Sequence, residues 1–297
     1  MKIAFICELP KEHFPFWNDG LKAALDVLQN KYGWQIDIFN RKPSGGFDIF
    51  NPDDYDVGLF WGSLLSDITA YKIFDKQVLC FGGGPTYTPN IHNFDLIFGE
   101  SAIDIKDFKR FGKKTLQAFG TNTKLFRPMP EQPKVFAYIY PAAFAKWKHH
   151  EKFAGFIKNR EEKIKETMII GEDEDLKLPC LAVGYMQPDG WEKECYEICQ
   201  KYGISVIPQV TYDVMPYLIN AAETVYVGAD INGGCQRTIL EAKACGIPVE
   251  IDSDSPKLLE LKSLTREDIL RNWSEESYAE RLKIGIEGIL DGANSLQ

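Results

Sequence analysis

The chain has 297 residues, of which 44% are hydrophobic and 13% aromatic, and carries a formal net charge of −9. That is enough chain for one large or two ordinary domains with proper cores, and the acidic balance excludes a partner held by overall electrostatic attraction to a polyanion. No apolar run approaches the roughly 20 residues of a membrane-spanning helix, and the seven cysteines are scattered without a CxxC pair, the pattern of reduced thiols rather than of a disulfide frame or zinc knuckle.

Met1-Lys2 leads straight into an apolar run at 3–7, which predicts a first core strand and no signal peptide, so a soluble, cytoplasmic protein is expected. A long loop, 8–18, holds His13 and several aromatics. Asn18 or Asp19 can cap a helix that opens at Gly20 and buries Leu21, Ala24, Leu25 and Leu28. Residues 35–39 alternate as a second strand, and 57–61 and 77–81 read as buried strands. The last of these runs into Gly82-Gly83-Gly84-Pro85. Glycines at a strand end let a ligand approach the backbone, or simply make a tight turn; they match neither a GxGxxG fingerprint nor a Walker loop. A further strand is expected at 96–100. Residues 129–133 hold two prolines and read as an interdomain linker.

The second half opens with an apolar strand at 135–139, followed by the basic stretch YPAAFAKWKHH at 140–150. A strand and loop are expected over 167–174, then an acidic surface excursion at 173–178. Residues 181–184 read as a strand ending in Gly184. An amphipathic helix at 192–202 places Cys195 and Cys199 one turn apart as helix-face thiols. A strand at 204–207 precedes Gln209 and Thr211, and a helix at 212–222 leads into a strand at 225–227.

The stretch that follows is the most informative. A polar loop ends in Gly233 and Gly234, a helix runs over 237–244, Gly246 and Pro248 stop it, and a strand follows at 249–251. Strand, loop, helix and strand in this order are the repeat unit of a parallel α/β sheet. The glycines allow close approach to the backbone, and the open N–H groups of the first helical turn favour a phosphate. Glu241 lies one turn inside the helix, where its carboxylate can accept hydrogen bonds from ribose hydroxyls. The tail at 273–290 is expected to be helical, with apolar positions at Tyr278, Leu282, Ile286 and Ile289.

Glu241-Ala242-Lys243-Ala244-Cys245-Gly246-Ile247-Pro248-Val249 resembles the C-terminal signature of the GT-B glycosyltransferases, in particular glycosyltransferase family 4. Residues 120–128 resemble the segment that ends the N-terminal domain in that family, and Trp147-Lys148-His149 resembles its diphosphate-binding cation site, with Lys146 as the register alternative. The chain departs from the family twice: Gly233 stands where the signature has a first Glu, and Ala143 where it has an Arg.

The resemblance implies an α/β, GT-B architecture: two Rossmann-like domains with parallel sheets facing an interdomain cleft. The acceptor domain would be 1–130 and the donor-nucleotide domain 131–272, with the C-terminal helix, 273–297, packing back on the first. It implies a metal-independent hexosyl- or pentosyltransferase without a cofactor, using a nucleotide-sugar donor, UDP-linked by expectation, and retaining anomeric configuration. In that reading Glu241 binds ribose, while Lys148 and the amides of Gly233 and Gly234 bind the diphosphate. Gln236 and Arg237 supply further donors, Gly184 meets the ligand, and Gln209 and Thr211 lie near the base. His13, Asn18, Gly20, Gly83 and Gly84 are the acceptor-side candidates. Were the reaction inverting, Asp19 would be the general base. The acceptor reads as a glycan, a small molecule or a hydroxymethylated DNA base, the last requiring base extrusion. Two alternatives stand beside this: a nucleotide-sugar epimerase of the same fold, and a catalytically silent nucleotide-sugar-binding module. The Asp54/Asp56 and Asp252/Asp254 pairs have the Asp-x-Asp shape of metal-dependent enzymes, but the GT-B reading needs no metal.

Overall fold

The computed structural model describes residues 1–11, 20–83, 89–168, 176–184, 191–208, 210–229, 234 and 236–292. Among these it forms eleven strands and nine α-helices in two compact units, Met1–Asn122 with Arg271–Gln297, and Thr123–Leu270.

In chain order, unit 1 holds β1 (Lys2–Cys7), α1 (Gly20–Tyr32), β2 (Gln35–Asn40), β3 (Val57–Gly62), β4 (Gln77–Phe81), β5 (Leu96–Gly99), α2 (Ala102–Arg110) and β6 (Thr115–Gln117). Unit 2 follows with β7 (Phe136–Pro141), α3 (His150–Met168), β8 (Cys180–Val183), α4 (Glu192–Lys201), β9 (Ser205–Ile207), α5 (Met215–Asn220), β10 (Ala222–Gly228), α6 (Gln236–Ala244), β11 (Val249–Asp252) and α7 (Pro256–Leu259). Helix α8 (Arg266–Asn272) carries the chain back to unit 1, which ends in α9 (Glu275–Leu290).

The sheet of unit 1 has the order β2-β1-β3-β4-β5-β6 and that of unit 2 the order β11-β10-β7-β8-β9, with every pairing parallel. Parallel sheets are covered on both faces, which explains the unbroken apolar runs: residues 3–7 of β1 and all of β4 and β8 are buried. Helix α1 turns Leu21, Ala24, Leu25 and Leu28 inward, against Tyr278, Ala279, Leu282, Ile286 and Ile289 of α9. Helix α2 opens on a capping box, in which Ser101 Oγ accepts the Asp104 N–H at 3.2 Å and Asp104 Oδ2 accepts the Ser101 N–H at 3.1 Å.

Two sequence expectations are corrected. The strand placed over 167–174 is absent at its start: α3 runs through Met168, and Thr167 Oγ1 donates back to the Lys163 carbonyl at 2.8 Å within that helix; 169–175 lie outside the described residues. The helix placed over 212–222 is confined to α5. Ala222 already pairs with Phe136, so sheet pairing claims the residues that follow Asn220.

Gly20 owes its identity to packing. A Cβ there would lie 2.1 Å from the carbonyl oxygen of Gly120. Gly155, inside α3, has no atom of the described residues within 4 Å of the corresponding position. Gly20→Ala is therefore expected to cost about 1–3 kcal/mol through overpacking, whereas Gly155→Ala is expected to stabilise by about 0.5–1 kcal/mol through helix propensity. Denaturant midpoints of the two variants check both signs.

Candidate functional site

In unit 2, β7 has β10 on one side and β8 on the other. The strand order reverses there, so the segments leaving β7 and β10 part at their carboxyl ends and leave room between them, the position where open α/β sheets bind ligands. The segment after β7 carries Lys148; the segment after β10 carries Gly234 and enters α6.

Three contacts fix this edge. The Tyr140 side chain is fully buried, and its hydroxyl lies between the Lys148 carbonyl and the Gly228 carbonyl, the latter at 2.7 Å. One proton serves two acceptors, so the strand end and the turn share a single donor. Thr238 Oγ1, in the first turn of α6, donates to the Pro141 carbonyl at 3.3 Å and ties that helix to the end of β7. Lys148 closes a 3-10 turn over Lys146–Lys148, and His149 follows in the left-handed region at φ 52°.

The half-buried Lys148 side chain is thereby aimed at the N-terminus of α6. Its Nζ lies 3.6 Å from the position a Cβ would take on Gly234, with Gln236 Oε1 at 3.8 Å from the same point. The first turn of α6 contains no acidic residue. An ammonium and the positive pole of a helix thus share one small region, and each favours an anion. Lys146 is turned elsewhere, its Nζ 4.2 Å from the centroid of the Trp191 ring. Of the two register alternatives, Lys148 is the cation beside Gly234.

Glu241 is only 4% exposed, and its Oε1 accepts a hydrogen bond from the Tyr212 hydroxyl. Tyr212 in turn packs edge-on against Phe126, with ring centroids 5.2 Å apart. Burial, with the Glu241 carboxylate as a second contribution, pushes the Cys245 thiol up to about 12, which keeps it protonated at neutral pH. Gln236 is buried and Arg237 half-buried in the first turn of α6. Gly184 ends β8 where a Cβ would lie 1.8 Å from the Ala142 carbonyl oxygen, so this glycine lets two strand-end segments touch. Thr211 is exposed, and its carbonyl accepts the Val214 N–H at 3.0 Å. In unit 1, Gly83 has φ 96°, and no atom of the described residues lies within 4 Å of the position a Cβ would take. His13, Asn18, Asp19, Gly84, Gln209 and Gly233 lie outside the described residues.

Among the described residues no group of three or more His, Cys, Asp or Glu is placed to hold a metal ion. The aspartate pairs serve local structure: Asp56 Oδ2 accepts the Lys2 N–H at 2.7 Å, and Asp252 Oδ2 accepts the Tyr226 hydroxyl at 2.7 Å. The six described cysteines are buried and free of disulfides, and among the described residues no helix is long and apolar enough to cross a membrane.

Sequence reasoning missed Tyr140, Tyr212 and His150. The two tyrosines carried one available signal, a polar tip within or beside an apolar strand or helix, which when buried must find a partner. His150 opens α3, stacks on Phe144 at 5.0 Å between centroids, and has neither ring nitrogen hydrogen-bonded among the described residues.

No protein-family model and no curated protein sequence matches the chain. Solved structures do. AviGT4, a glycosyltransferase involved in avilamycin A biosynthesis, is 14% identical, with a TM-score of 0.65 over 99% of each chain. HepE of Anabaena in complex with UDP is 14% identical, with a TM-score of 0.56 over 99% of this chain and 100% of HepE. A Listeria monocytogenes protein assigned as a UDP-N-acetylglucosamine 2-epimerase is 12% identical, with a TM-score of 0.58 over 98% of this chain and 97% of its own. These likenesses show the fold: an α/β, GT-B chain of two Rossmann-like units, each with a parallel sheet.

Burial lowers the His150 imidazole from 6.5 to about 4. The unfolded chain then binds the proton first as pH falls, so folding carries no penalty above 6.5 and a growing one down to about 4, reaching at most about 3 kcal/mol. His150→Phe is expected to remove that term, so its stability relative to the parent should rise between pH 7 and pH 4 in matched urea titrations.

Proposed function

We propose that this chain is a glycosyltransferase that moves a sugar from a UDP-sugar to a hydroxyl acceptor. The carrying observation is the placement of the Lys148 ammonium beside Gly234, at the start of α6 and at the switch point of the unit 2 sheet. A diphosphate is the dianionic group such a site suits, since it can engage a helix N-terminus and a cation together. The fold supports the nucleotide assignment: HepE is known with UDP and with UDP-glucose, the latter at a TM-score of 0.55.

In this reading Lys148 and the amides ahead of α6, those of Gly233 and Gly234 among them, bind the diphosphate and stabilise the charge that develops on it as the glycosidic bond breaks. Gln236 and Arg237 supply further donors. Glu241, held at Oε1 by Tyr212, is the carboxylate that binds the ribose. The segment at Gln209–Thr211 borders the base and Gly184 meets the ligand at the sheet edge. The acceptor is bound by unit 1, with His13, Asn18, Gly20, Gly83 and Gly84 as candidates. With retention of configuration no enzyme nucleophile is needed, because a donor phosphate oxygen can take the acceptor proton; with inversion, Asp19 takes it. The site requires no metal, because a lysine and a helix pole supply the positive charge. The buried, unbridged thiols suit a reducing, cytoplasmic setting.

The fold of the Listeria protein motivates a second reading, epimerisation of a nucleotide sugar. Incubation with UDP-sugars alone separates the two. Slow release of free sugar is expected for a transferase; an isomerised nucleotide sugar would establish the epimerase instead.

A melting-temperature screen of UDP-, GDP- and ADP-sugars tests the donor assignment, since a ligand bound only to the folded state raises its melting point. UDP-sugars are expected to give the largest shift, and no shift from any of them contradicts the proposal. Lys148→Ala is expected to weaken UDP binding by about tenfold to a hundredfold, the worth of a charged hydrogen bond, with a shallower dependence on salt. Glu241→Gln, which keeps the shape and an oxygen for Tyr212, is expected to weaken UDP by about tenfold. Unchanged affinity there would remove Glu241 from the ribose.

A further inference from the structure

Unit 1 has a switch point of its own. Strand β1 has β2 on one side and β3 on the other, so the segments leaving β1 and β3 part at their carboxyl ends. Glu8 is the first residue past β1 and Ser63 the first past β3. The Ser63 N–H donates to both carboxylate oxygens of Glu8, at 3.2 and 3.1 Å. The Glu8 N–H donates to the Trp61 carbonyl at 3.2 Å, which fixes the backbone beneath the side chain. The carboxylate lies directly against Gly62, where a Cβ would come within 2.5 Å of Glu8 Oε2. A side chain at Gly62 would press on this carboxylate.

The electrostatics of the cluster are unusual for a strand-end turn. Arg41 acts on Glu8 but is itself engaged by Asp67 Oδ2 at 2.7 Å, so one guanidinium serves two carboxylates. Burial holds the Glu8 carboxyl above its ordinary range, against the pull of the Ser63 amide, a hydrogen bond from the Ser66 side chain and the Arg41 charge, while Asp67 adds to the rise. Glu8 remains half-buried, not sealed. Stapling two strand ends needs only a neutral oxygen acceptor, and burying a charge there carries a cost that Arg41 and Ser66 offset in part. What a carboxylate adds is strong acceptance from hydroxyl donors, together with rejection of anions.

We propose that Glu8 anchors a neutral polyhydroxylated acceptor, its carboxylate accepting hydrogen bonds from sugar hydroxyls at the carboxyl edge of the unit 1 sheet. The assignment rests on the glycosyl-transfer reading and narrows it. With Glu8 and Asp67 sharing one cation, a phosphorylated sugar or a nucleic-acid backbone is repelled, so the acceptor is an uncharged glycoside or polyol.

The test uses the full chain and saturation-transfer NMR, with methyl α-glucoside, methyl α-galactoside and methyl α-mannoside as neutral probes and glucose 6-phosphate as the anionic one. At least one neutral glycoside is expected to receive saturation, and glucose 6-phosphate none. Glu8→Gln keeps an oxygen for the Ser63 N–H and is expected to weaken the neutral probe by about tenfold while the melting point holds. Asp67→Asn alters an exposed side chain and so keeps the fold; it releases Arg41 and is expected to admit glucose 6-phosphate. Absence of transfer to all three glycosides, an unaltered affinity in Glu8→Gln, or continued exclusion of the phosphate by Asp67→Asn overturns the proposal. The UDP melting shift is read on the same samples. Glycoside binding without a UDP shift would leave Glu8 in place and defeat the donor assignment instead.

Discussion

A parallel sheet sends every segment that follows a strand out at one edge, and a reversal of strand order opens that edge. Both units obey this constraint, at β1/β3 in the first and at β7/β10 in the second. In unit 2 a buried phenol makes two of the contacts that hold the edge. The Tyr140 hydroxyl lies between the carbonyls of Lys148 and Gly228, and so locks the turn that carries the lysine to the strand that leads into α6. Buried carbonyls must find donors, so this hydroxyl is as much a part of the site's geometry as the groups that would meet a ligand.

The electrostatic consequence follows from that geometry. Lysine and helix pole are brought together by packing, through the Thr238 contact to Pro141 and the turn over Lys146–Lys148. The backbone thus sets the Lys148 ammonium beside Gly234 at the start of α6, the placement on which the proposed diphosphate site rests. In unit 1 the same topology presents the opposite character, a carboxylate held by an amide at the strand end. The two edges thus differ in the charge they present, an ammonium in unit 2 and a carboxylate in unit 1.

Much of the fold was legible in the sequence because buried parallel strands are continuous apolar runs with glycine or proline at their ends. β1, β3, β4 and β11 lie where 3–7, 57–61, 77–81 and 249–251 placed them, and α6 stops at Gly246, which takes φ 75°. The exceptions have physical causes. β6 is three residues long, Thr115-Leu116-Gln117, too short for a period to show. Helix α3 buries Phe153, Ala154 and Ile157 near its start and is mostly polar beyond, so its repeat fades. The candidate site was legible as residue types but not as geometry. Whether Lys146 or Lys148 faces α6 is decided by Trp191, which takes the Lys146 ammonium from a distant part of the chain. Tyr140 reaches across 88 positions to Gly228, Tyr212 across 29 to Glu241, and Ser63 across 55 to Glu8. Local pattern carries no record of such pairs.

The most direct measurement is a crystal structure of the chain soaked with UDP. The account requires the diphosphate to lie at the N-terminus of α6, with an oxygen about 3 Å from the Gly234 amide and another within the same reach of Lys148 Nζ. A diphosphate bound anywhere else, or one at this place that leaves Lys148 untouched, would contradict it.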